Sequence, residues 1–77
     1  MKSREEQLTW AKQRAFLCVD RGGFTDAVAG LRADLDLNPL TKNVMSSDHA
    51  RHGYKAAMDA ALGRGTQALT EWIESFG

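Results

Sequence analysis

A single cysteine, Cys18, leaves this chain without an internal disulfide. It also lacks any run of about 18 apolar residues, so no membrane-crossing helix is expected. The polar start Met1-Lys2-Ser3-Arg4-Glu5-Glu6-Gln7 reads as neither signal peptide nor anchor, which makes the cytoplasm the expected location. Charge of one sign is missing as well: ten basic residues cancel ten acidic ones. That balance argues against a protein held on nucleic acid mainly by counterion release. No strand pattern precedes any of the glycines, so none of them forms a phosphate-cradling loop. His49 and His52 sit at i, i+3 beside Asp48, a spacing that can place two imidazoles on one metal. However, position 53 is glycine and no carboxylate lies at a completing helical step. Neither a metal nor a cofactor is expected. Cys18 falls on the inward side of its helix, where a thiol behaves as a small hydrophobe and not as a nucleophile. The chain is therefore not expected to be an enzyme.

What is present is helical patterning. The spacing predicts four short helices, at about 4–20, 25–38, 47–62 and 66–76, forming two packed hairpins in one all-α domain over residues 1–77. Ser3 and Glu6 form a capping box for the first helix. Leu8, Ala11, Ala15, Cys18 and Val19 share one of its faces, while Trp10 and Leu17 lie nearly opposite, flanked by Arg14 and Arg21. A helix apolar on two sides either sits centrally between two others or presents Trp10, Arg14, Leu17 and Arg21 as an anchor patch for a protein partner. Arg21-Gly22-Gly23 folds the chain back. Thr25 is the expected N-cap of the second helix, Ala27, Val28, Leu31 and Leu35 form its inner face, and the only proline, Pro39, forbids continuation beyond Asn38. Asp34, at the edge of that face, is expected to pair with Arg14 or Arg21.

Leu40, Val44 and Met45 are expected to tuck under the hairpin. Ser46 or Ser47 caps the third helix, and Ala50, Tyr54, Ala57, Met58 and Ala61 line one face, with Tyr54 and Met58 supplying most of the volume. His49 is read as complementing Asp48, and His52 as solvated near Asp59. Gly63-Arg64-Gly65 ends this helix as Arg21-Gly22-Gly23 ended the first. Thr66 caps the last helix, whose inner face is Leu69, Trp72, Ile73 and Phe76. Gly22 to Ala27 and Gly63 to Ala68 both read Gly-x-x-Thr-x-Ala, a weak echo between hairpins.

In residues 8–39 the order Gly22, Phe24, Ala27, Leu31, Leu35, Pro39 resembles a single tetratricopeptide-like helical hairpin, with departures at Ala11, Cys18 and Asp34. No second copy follows at that repeat's period, so one isolated hairpin is expected. Trp10, Lys12-Gln13-Arg14-Ala15, Asp20-x-Gly22, Ala27, Asp34-Leu35, Pro39, His49 and the ending Ile73-Glu74-Ser75-Phe76-Gly77 resemble small uncharacterised helical proteins encoded by phages and prophages. That resemblance implies an accessory gene of a mobile element whose product occupies a surface of a host protein, such as one in defence or transcription machinery.

With 77 residues, the chain buries only about 60% of its unfolded surface, so a partner or a second copy would help hold the fold. Two other functions compete with protein binding. Arg51, Lys55 and Arg64 can serve as a phosphate-contacting stripe in a small nucleic-acid-associated regulator. The chain can also be a subunit that assembles with itself. Net charge alternates by segment, +2, −2, +2 and −2 over residues 1–24, 25–38, 39–65 and 66–77, a pattern better matched to interhelix or protein complementarity than to a polyanion.

Overall fold

The first helix begins where the side chains can satisfy its orphan amides. Ser3 Oγ accepts from the Glu6 amide at 3.2 Å while Glu6 Oε1 accepts from the Ser3 amide at 3.3 Å. The computed structural model describes residues 2–76; Met1 and Gly77, the two ends of the expected domain, lie outside the described residues. From this cap α1 runs Arg4–Asp20. The Ser3 hydroxyl and, after it, the Ser3 backbone amide hold the Glu6 carboxyl below its ordinary range. A lowered folded-state value means that the cap's contribution is present above the unfolded carboxylate range and is lost as pH falls through the folded value. Thermal scans of the wild-type protein and Glu6→Gln should therefore diverge at neutral pH and converge in acid. Parallel curves across the whole range would contradict this origin of α1.

At its other end α1 stops in a two-bond turn. The Gly22 amide donates to Val19 O at 3.0 Å and the Gly23 amide to Cys18 O at 2.8 Å, with Gly22 at φ +79°. This is the Schellman closure that a glycine past the C-cap permits. The same pair of bonds ends α3 (Ser47–Ala61): the Gly63 amide to Ala60 O, the Arg64 amide to Asp59 O, and Gly63 at φ +83°. The glycine signals in the sequence thus mark two equivalent corners.

The helices entered from those corners differ from expectation. α2 spans Phe24–Asp36, so Thr25 is its second residue and not its cap; Gly23 occupies the cap position with no side-chain bond. It also ends two residues before Asn38, where the Thr41 side chain takes up one of its last carbonyls and the Asn38 side chain ties the turn that follows. Thr41 Oγ1 donates to Leu35 O at 2.7 Å, Asn38 Oδ1 accepts from the Leu40 amide, and Asn38 Nδ2 donates to Lys2 O. α4 is Gln67–Glu74, and Thr66 precedes it without a side-chain cap bond. Phe76, beyond the helix, is still buried. The echo between hairpins ends here, since Ala27 is buried and Ala68 exposed.

Gln7 Nε2 donates to Asp34 O at 2.6 Å near one end of α1 and α2, and Gly23 meets Cys18 at the other, so the two helices are antiparallel. α1 also packs against α4, where Lys12 Nζ donates to Glu74 O, so it lies between two helices. α2 packs on α3 and α3 on α4, which gives an all-α fold without strands among the described residues. Leu8, Val28, Leu31, Leu35, Leu69, Ile73 and Phe76 fill the middle, with Trp10, Phe16 and Trp72 packed around them.

α3 is turned relative to its expected phase. Its buried residues are Ala50, Gly53, Ala56, Ala57 and Ala60, while Tyr54 and Ala61 are exposed and Met58 is 61% exposed. At 3.6 residues per turn the inner face is rotated by roughly 80° from Ala50-Tyr54-Ala57-Met58-Ala61. The cause is Trp72: its indole lies over Gly53, where any Cβ would overlap the ring, and its Nε1 donates to His49 O at 2.9 Å. Bulk comes from α4, so α3 has to be slim on that side. Ser46 caps α3 as expected, but its reciprocal partner is His49, whose Nδ1 accepts from the Ser46 amide and whose ring meets Phe76 edge-on. His49 is therefore a capping residue and not a complement to Asp48. In the preceding connection Met45 is buried and Val44 half-buried, but Leu40 is 55% exposed because Asn38 holds its amide in a tight turn.

Candidate functional site

The corner at Arg21-Gly22-Gly23 lays α2 against α1 and leaves a groove of about 270 Å³ between them. Ala15, Ala27 and Leu31 form its floor, small or fully packed side chains that cannot fill it. Gly30 opens the α2 side, with nothing within 4 Å of where a Cβ would stand. Arg14, Leu17 and Arg21 form the α1 rim, and Cys18 is half-buried between rim and floor. Leu17 is 54% exposed, although leucine in a helix of this kind usually turns to the core.

Arg14 is the best-held cation of the rim. Its Nε donates to Asp34 Oδ2 at 2.9 Å, which is the pairing that the sequence suggested, and its guanidinium lies 4.9 Å from the Trp10 ring centroid. Lys2 Nζ stands 4.6 Å from the same centroid. Trp10 is thus half-buried beneath two cations beside the groove, in a separate shallow hollow with Glu5, Glu6, Thr9 and Gln13. Asp34, only 7% exposed, is satisfied within the hairpin through Arg14, and its backbone carbonyl through Gln7. Among the described residues Arg21 has no carboxylate partner and projects into solvent. Arg14, Leu17 and Arg21 therefore meet at one groove, with Trp10 behind Arg14 as its support.

The second expected cluster is divided. Arg51 is paired with Asp48 at 3.9 Å and Arg64 with Asp59 at 3.0 Å. Lys55 lines a surface hollow with His52, Asp59 and Glu71, which also places His52 near Asp59 as expected. Carboxylates thus interrupt the three cations, and exposed pairs of this kind are nearly neutral to an approaching polyanion. Among the described residues no group of three or more His, Cys, Asp or Glu side chains is placed to hold a metal ion, and no helix is long and apolar enough to cross a membrane.

Two surface features were not anticipated. Gly30 opens the groove, and its only sequence signal is a glycine inside a helical pattern. Tyr54, Met58 (61% exposed) and Leu62 (68%) form an apolar stripe along the outer side of α3, a consequence of that helix's altered phase. No family model, curated protein or solved structure matches this chain.

Proposed function

We propose that this protein acts by binding another protein through the α1–α2 groove, and not by catalysis. The observation that carries this reading is Leu17, exposed on a groove rim between Arg14 and Arg21 with an apolar floor beside it. Arginines beside an exposed apolar side chain and a pocket that excludes water fit the enrichment of arginine at interface centres. The resemblance to small phage and prophage proteins makes the partner a host protein in the cytoplasm, with inhibition of defence or transcription machinery as the consequence of occupying its surface. One observation favours a second reading, self-assembly: the apolar stripe of Tyr54, Met58 and Leu62 is an unpartnered helix face.

The experiment is capture from nuclease-treated host lysate, run with the wild-type protein and with Leu17→Asp, alongside the solution mass of each. The expected result is one near-stoichiometric protein that Leu17→Asp no longer retains, while its helical circular dichroism is unchanged. Capture untouched by Leu17→Asp would remove the groove from this role. A mass above one chain that Met58→Asp reduces would move the weight to self-assembly.

A further inference from the structure

We infer that the groove's ligand is an acidic amphipathic helix of a partner protein, laid along α1 with carboxylates on Arg14 and Arg21 and apolar side chains over Gly30. This rests on the groove being the binding surface and goes on to specify what fits it.

Charge sets the first requirement. Arg14 and Arg21 are seven positions apart on α1, roughly 10.5 Å along its axis at 1.5 Å per residue. Arg14 engages Asp34 through Nε alone, which leaves its two terminal nitrogens uncommitted to that carboxylate. Two guanidiniums at this separation match two carboxylates seven positions apart on a neighbouring helix, since both helices share the same rise. Asp34 offsets Arg14, so the uncompensated positive charge of the α1 rim is that of Arg21, with the free terminal nitrogens of Arg14 as its second donor.

Shape sets the second. Leu17 stands between the arginines, and across from it the α2 rim carries no side chain at Gly30. Ala33, one turn further along α2, and Leu37 at its C-cap are exposed and uncharged, and Asp34, which also lines the groove, is held by Arg14. A helix lying here would meet cations on one side and an apolar, low wall on the other, as in helix-in-groove recognition. A phosphodiester strand would satisfy the arginines but leave the floor of Ala15, Ala27 and Leu31 unfilled. A second copy of this chain is disfavoured because none of its helices α1 to α4 carries two carboxylates seven positions apart.

The test uses the full chain and a capped alanine-based helical peptide bearing glutamates seven positions apart with leucines on the same face between them. A twin peptide has lysines for the glutamates. Binding is read by fluorescence anisotropy and located by amide chemical shifts. The glutamate peptide should shift the Leu17 and Gly30 amides, and the lysine twin should not bind. Arg21→Glu should weaken the glutamate peptide by at least about tenfold, the scale of one hot-spot arginine. Gly30→Leu should do the same by filling the groove, and open space around the Cβ position means that it should fold normally. Equal binding of the lysine twin in the groove would overturn the acidic ligand and leave the groove reading intact. Shifts confined to other surfaces, or a single-stranded oligonucleotide bound with the same Arg21 dependence, would also overturn the inference. Loss of the Leu17 dependence in lysate capture would remove the reading beneath it.

Discussion

Gly53→Ala is expected to destabilise the protein by about 1–2 kcal/mol, even though alanine is the better helix former by about 1 kcal/mol. The Trp72 ring lies directly over Gly53, with Cε2 at 2.6 Å and Cη2 at 2.7 Å from where the new methyl would stand. Real Cβ atoms do not approach carbon so closely, so either the ring or the helix must move. The indole has little freedom to yield. Its Nε1 is bonded to His49 O, and it packs edge-on against Phe76 at 4.9 Å between centroids. Displacing it therefore also strips the contact that joins α4 to the start of α3. Gly53→Val adds two more carbons and loses the propensity gain, so its cost should be larger, a substantial fraction of the roughly 5 kcal/mol that holds a small domain. Chemical denaturation with Trp fluorescence measures both. Trp72→Phe, introduced with Gly53→Ala, should recover part of the loss, because the pair is in direct contact and not additive. A Gly53→Ala protein as stable as wild type, or more stable, would show that the indole does not rest where the structure puts it.

The same residue shows what the sequence could and could not disclose. Features set by neighbours along the chain were legible: the Ser3–Glu6 box, the Ser46 cap, and the glycine corners after Arg21 and Leu62 all depend on a few consecutive residues. The inner faces of α2 and α4 were legible too, because their large apolar residues outnumber the alternatives, and that of α1 because Leu8, Ala11 and Ala15 recur at helical spacing. α3 was not, because its two largest apolar side chains, Tyr54 and Met58, point outward while a glycine and four alanines point in. Hydrophobic periodicity assumes that each helix buries its own bulk, and here α4 delivers it instead. Thr25 failed as a cap for a related reason, because the corner geometry gives the cap position to Gly23, whereas Thr66 holds the cap position of α4 but its side chain makes no bond there. In the groove, Arg14, Leu17 and Arg21 could be placed on one side of α1 from spacing alone. Gly30 could not, since its role depends on lying opposite Leu17 in a neighbouring helix.

Arg14→Ala is expected to cost more than its exposure suggests, about 2 kcal/mol, because it strands a buried carboxylate. Removing one partner of a fully buried pair costs about 3–5 kcal/mol. The Arg14 side chain is 58% exposed, so water would partly replace it, and the figure is lowered accordingly. The Asp34 side chain is only 10% exposed, and no other bond to its carboxylate oxygens is present among the described residues. It cannot move out to solvent easily, because its own backbone carbonyl is held by Gln7 at the next turn of the hairpin. Asp34→Ala removes the charge that would be stranded, so Arg14→Ala with Asp34→Ala should be no less stable than Arg14→Ala alone. A double-mutant cycle in urea, with Arg14→Lys as the charge-conserving control, isolates this coupling. Lysine should recover only part of the loss, since it keeps the charge but cannot combine the Nε bond to Asp34 with a planar group over Trp10. If Arg14→Ala lies within about 0.5 kcal/mol of wild type, the range of a neutral surface change, Asp34 is solvated by another route. In that case the guanidinium is free of structural duty and wholly available to a ligand.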